Sequence, residues 1–271
     1  MCYSKEVQLI TSLIIIVSVL FYYLYYSKKY KESKNKWLIP FLNSVMLAFL
    51  CVGLHQFFEF LSLLTYNQII YKIGLIISIC AVYFLLRSLE ILSNKKIYSW
   101  IAPVVILLVT LHAIFTPMNF EPSNFYLKHN SAFFWASAWL FLFIYWNICA
   151  IKMYSELKDD KSRKTLLIYL LTVADISFIL SAIYVIAGYF IFSVNVCTDS
   201  PSIWCTFYVI QSFFIPLLLF RLPHALKRNN KTQNITIKQA VTYLLFSLII
   251  FIILFLTLPL FKCLTWKFAF P

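Results

Sequence analysis

Long apolar runs separated by short polar segments set the plan of this chain. Runs with little charge recur at 7–26, 38–64, 69–92, 99–116, 131–151, 166–194, 203–222 and 239–261. About 20 helical residues cross the roughly 30 Å hydrocarbon layer of a bilayer. The pattern therefore predicts an all-α fold, a polytopic transmembrane helix bundle of eight spans in one integral membrane domain over 1–271. Seven spans would form the core and the C-terminal run an additional helix. No small-x-small cleavage pattern follows the first run, so it reads as a retained span.

Polar positions inside these runs are few, which makes each one informative. Along span 2, Ser44, Ala48, Cys51, His55, Glu59 and Ser62 recur at spacings of three and four, so small and polar groups share one helical face. Such a face meets other helices rather than lipid. An ionisable group at the centre of a bilayer costs about 2.5–3.5 kcal/mol on insertion scales, so His55 and Glu59 mark a candidate site. At 1.5 Å per residue, His55 lies about 6 Å and Glu59 about 12 Å past the middle of the span.

Composition agrees with the pattern: 62% of residues are hydrophobic and 12% charged, which excludes a water-soluble domain of this size. The net charge of +13 would suggest nucleic acid in a soluble protein, but its distribution follows topology instead. The loops after spans 1, 3, 5 and 7 hold 5, 2, 5 and 5 Lys or Arg, together 17, against 5 on the other side, with Arg87 inside span 3. Basic loops stay cytoplasmic, so both termini are expected outside and the His55–Glu59 level in the outer half. The expected partner is the lipid bilayer, with no nucleic acid.

Other polar residues fall into three groups. His112 in span 4 and Gln211 in span 7 lie at depths that could join His55, Gln56 and Glu59 in a ligand or ion pocket. Nearer the cytoplasmic side, Arg87 can pair with Glu90 three residues on, or with Asp175 of span 6 as an inner polar pair. Cys197 and Cys205 flank an outer loop and could form a disulfide on an oxidising side. Trp135, Trp139 and Trp146 share a face of span 5 and read as packing.

The N-terminal Met1-Cys2-Tyr3-Ser4 places Cys2 just before span 1, beside span 2 if consecutive spans are neighbours. Cys2, His55 and Glu59 together have the donor types for a divalent metal ion. A Cys2 thiol with His55 as base could alternatively act as a nucleophile. The chain has no phosphate-cradling glycine loop, nucleotide fingerprint or His-Glu-x-x-His helix, and its glycines are only Gly53, Gly74 and Gly188.

Met1-Cys2-Tyr3-Ser4 and His55-Gln56-Phe57-Phe58-Glu59 resemble the motifs of an uncharacterised family of bacterial multi-pass membrane proteins. Its members begin Met-Cys-Phe-Ser and carry Gln-Gln-x-x-Glu-Gly in the second helix. The likeness covers roughly the first quarter of the chain, matches at Cys2, Gln56 and Glu59, and departs at His55 and Phe60. It implies a bacterial inner membrane location and no particular reaction. Three functions follow as expectations. The leading one is a non-enzymatic protein with an outward-facing intramembrane polar pocket for a ligand or ion, sensor- or receptor-like. The others are a membrane-embedded metal- or thiol-dependent hydrolase, and a proton- or ion-coupled transporter.

Overall fold

The structure, a computed structural model, describes residues 5–31, 36–95, 99–116, 130–157, 160–192 and 203–227. Among them it contains seven α-helices: α1 (Lys5–Lys29), α2 (Leu38–Thr65), α3 (Gln68–Ser93), α4 (Ile101–Phe115), α5 (Asn130–Glu156), α6 (Lys161–Phe192) and α7 (Ile203–Lys227). Five of the seven are long and apolar enough to cross a membrane, whereas α4 and the Phe207–Leu222 part of α7 are shorter apolar helices. The apolar run at 239–261 lies outside the described residues.

Local chemistry fixes where several helices begin and end. Pro40 and Pro103 each occupy the third position of their helix, where a backbone N–H has no intrahelical acceptor and its absence costs nothing. Between α2 and α3, Tyr66 turns left-handed at φ 53° and the Asn67 side chain accepts the Ile69 N–H at 2.9 Å. That two-residue reversal makes α2 and α3 antiparallel neighbours.

The bundle is built outward from α2, which packs along α1 and α3, while α7 packs on α6, α1 and α2. Contacts of Thr11 with Gln56 and of Ile15 with Gly53 show that α1 runs antiparallel to α2. His55 meets Tyr208, and Tyr26 bonds to Leu219, so α7 runs parallel to α1. A Cβ added to Gly53 would stand 2.8 Å from Ile16 Cγ1 and 3.0 Å from Ile15 Cγ2, so the absence of a side chain sets the α1–α2 approach. Gly53→Ala gains up to about 1 kcal/mol of helix propensity, but the overpacking costs about 1–3 kcal/mol. A net loss of roughly 1 kcal/mol, read as a lower melting temperature in detergent, is expected.

Basic residues gather at the end of the bundle opposite the Tyr66–Asn67 turn. There Lys95 pairs with Glu156 at 2.6 Å, and Arg163 bonds to the Leu92 carbonyl at 2.7 Å while its guanidinium lies 5.0 Å from the centre of the Trp37 ring. A cation at the C-terminal end of α3 meets the negative end of the helix dipole. Near the same end Arg87 pairs with Glu90, whose other oxygen accepts the Ser99 N–H at 3.2 Å ahead of α4.

Candidate functional site

His55, Gln56 and Glu59 are all buried, at 3%, 1% and 4% exposure, so the polar face of α2 points into the bundle. The His55 Nδ1 lies 2.9 Å from the Gly74 carbonyl oxygen of α3. A carbonyl only accepts, so Nδ1 donates the hydrogen, which leaves Nε2 as the second polar atom of the ring. That nitrogen stands 4.0 Å from Glu59 Oε2, one helical turn on. An imidazole nitrogen and a carboxylate oxygen therefore lie side by side at a buried level of the bundle.

Aromatic side chains wall the imidazole. Trp135 of α5 stacks on it with ring centroids 5.9 Å apart, and Tyr208 of α7 lies against it at 4.5 Å. The Trp135 indole is oriented by its N–H, which lies 3.0 Å from both the Leu75 carbonyl and the Ser78 hydroxyl. Gly74 permits this approach: a Cβ there would meet Phe58 Cβ at 3.1 Å and His55 Nδ1 at 3.5 Å. Two of the three glycines thus stand where α1 and α3 close on this level of α2.

Helix α1 supplies the other side. Thr11 donates to its own helix at the Val7 carbonyl, 2.8 Å away, and lies 3.4 Å from Gln56 Oε1. One turn earlier, Gln8 is 1% exposed, and among the described residues neither its amide oxygen nor its amide nitrogen has a hydrogen-bond partner. Gln56 Nε2 is likewise buried and unpartnered. The antiparallel register that pairs Thr11 with Gln56 brings Gln8 to the level of Glu59. A buried polar group left unsatisfied costs about 1–3 kcal/mol, so this level carries a standing deficit that a bound donor and acceptor would relieve.

The remaining expected residues are distributed differently. Gln211 is on α7 but turns toward α6, with its Nε2 3.4 Å from the Val173 carbonyl. His112 belongs to α4, which packs mainly on α3 and α5 rather than α2. The inner pair Arg87–Asp175 is not among the ion pairs of the described residues: Arg87 is held by Glu90, and Asn147 of α5 donates to the Phe143 carbonyl of its own helix at 3.1 Å. The i,i+3 partner on the same helix wins because it needs no particular packing between α3 and α6. Cys2 and Cys197 lie outside the described residues, as does the side chain of Cys205, so the thiol and disulfide expectations find no geometry.

For a metal, the described residues supply only part of the expected set, because Cys2 lies outside them. Among the described residues no three of His, Cys, Asp or Glu converge, and His55 with Glu59 makes two donors. Gln8, Thr11, Trp135 and Tyr208 are the members that reading α2 alone overlooks. The signal for two of them is visible in hindsight, since Gln8 and Thr11 are polar residues three apart inside an apolar run. Comparison with known protein families, with curated proteins and with solved structures returns no match.

Proposed function

We propose that this chain is a multi-pass membrane protein that binds a small ligand or ion at the buried polar level of α1, α2 and α3, in a sensor- or receptor-like role. The observation that carries the reading is Gln8, fully buried with both amide atoms unpartnered, beside the unpartnered Gln56 Nε2. A fold that keeps an unsatisfied amide at this depth gives up stability for it, and such costs collect at binding sites. The His55 imidazole and the Glu59 carboxylate, 4.0 Å apart at the same level, add polar groups of two further kinds beside these amides. In the orientation favoured by the basic loops, this level opens toward the outside of a bacterial inner membrane.

The test is thermal unfolding of the purified chain in detergent against a panel of sodium, potassium, ammonium, calcium, zinc and small amino acids and carboxylates. Gln8→Leu replaces an unsatisfied amide with carbon of similar size, so the ligand-free protein is expected to gain about 1–3 kcal/mol. The same substitution is expected to remove the stabilisation that a bound species gives the wild type. A wild type that responds while Gln8→Leu and Glu59→Gln respond equally puts the site elsewhere, and a wild type indifferent to the whole panel counts against the reading.

A further inference from the structure

One turn or more below the polar level, α2, α3, α5, α6 and α7 do not close completely on one another. They leave a cavity of about 30 Å³, walled among others by Ala48, Val52, Ala81, Val82, Trp139 and Val173. Gln211 and Tyr208 border it, yet neither turns a polar atom into it, and its exposed wall is entirely carbon. The volume exceeds the 10–15 Å³ or so that one water needs, but a water also needs two to four polar partners, and none is offered. Such a space stays dry and takes apolar guests.

We propose that this cavity is a binding site for a small apolar guest of one or two heavy atoms, a dissolved gas such as dioxygen. Size sets the class. A cavity of about 150 Å³ holds benzene, so one of about 30 Å³ excludes rings and chains and admits a monatomic or diatomic molecule. Location supports it, because five helices carry the wall through the apolar middle of the bundle, where such molecules concentrate from water. Small residues at Ala48 and Ala81 hold the space open, since a larger side chain at either position would fill it. Tyr208 is shared between this wall and the face of the His55 ring. The inference stands independently of what binds beside Gln8.

Methyl carbon NMR of the full chain in detergent micelles tests it, with xenon and dioxygen as the two probes. In the wild type the methyls of Val52, Val82 and Val173 are expected to shift, and under dioxygen to relax faster, saturably with gas pressure. The lipid-facing methyls of Val17 and Val104, 62% and 49% exposed, serve as references and should respond linearly. Ala81→Leu is expected to abolish the saturable component, and Ala81→Val, a smaller intrusion that keeps the fold, to weaken it at least severalfold. Responses at Val82 and Val173 that stay linear and match those at Val17 overturn the proposal. So does a saturable response that survives both substitutions.

Discussion

Replacing His55 with alanine is expected to lower the stability of the bundle by roughly 2–5 kcal/mol, the range for emptying a large buried side chain. The imidazole is 3% exposed and lies between Trp135 and Tyr208, so its removal opens a space on α2 against both α5 and α7. The Nδ1 bond to the Gly74 carbonyl, 2.9 Å long, is lost as well, at about 1 kcal/mol. His55→Phe separates the two contributions. The phenyl ring keeps the aromatic contacts, and the Gly74 carbonyl retains its place in the α3 ladder, so the cost should fall to about 1–2 kcal/mol. Urea or thermal unfolding in detergent measures both variants. Equal losses for alanine and phenylalanine would mean that the polar contacts, not the packing, hold this level together.

Tyr26→Phe is expected to cost about 1–3 kcal/mol through a carbonyl on another helix. The Tyr26 hydroxyl, 1% exposed, donates to the Leu219 carbonyl of α7. In a regular helix that carbonyl would accept the N–H of the residue four places on, which is Pro223. Proline has no N–H, so without the tyrosine this buried carbonyl would lose its donor. The coupling is tested by a double-mutant cycle. Pro223→Ala restores the missing donor, and in that background Tyr26→Phe should cost less than about 1 kcal/mol. An undiminished cost would show that Tyr26 acts through its ring, which stacks on Tyr22 and Tyr30 with centroids 5.8 Å away in each case, rather than through its hydroxyl.

The helices themselves were legible because the apolar run is the cause of the span. α2 and α3 fall within a residue of the runs at 38–64 and 69–92. At α6 the helix starts at Lys161, five residues before the apolar run at 166. Asp160 explains the difference, since its side chain accepts the Arg163 N–H at 3.1 Å and caps the helix. Hydropathy follows the part that touches lipid, whereas backbone hydrogen bonding decides where the helix starts. The α5 end at Glu156 extends past residue 151 for the same reason, and the Lys95–Glu156 pair lies on that extension.

The candidate site was legible only in part. The burial of His55, Gln56 and Glu59 follows from their shared face on α2, because charge and amide groups avoid hydrocarbon. Their neighbours did not follow. Trp135 read as packing, and its role beside His55 depends on α5 meeting α3 at Leu75 and Ser78. The expected Arg87–Asp175 pair is replaced by Arg87–Glu90, because a partner one turn along the same helix is in reach whatever the packing between α3 and α6.

The sequence by itself determined that this is an all-helical chain with helices able to cross a membrane, and which face of α2 is turned inward. Those properties arise from the solvation of single residues and from a fixed helical period, both of which are local. Only the tertiary structure decided that Gln8 of α1 shares the level of Glu59, that Gly74 and Trp135 seat His55, and that Tyr26 completes α7 at Leu219. Each of these is a meeting of two helices, set by how small and large side chains interlock across the bundle, and no period along one chain segment encodes it.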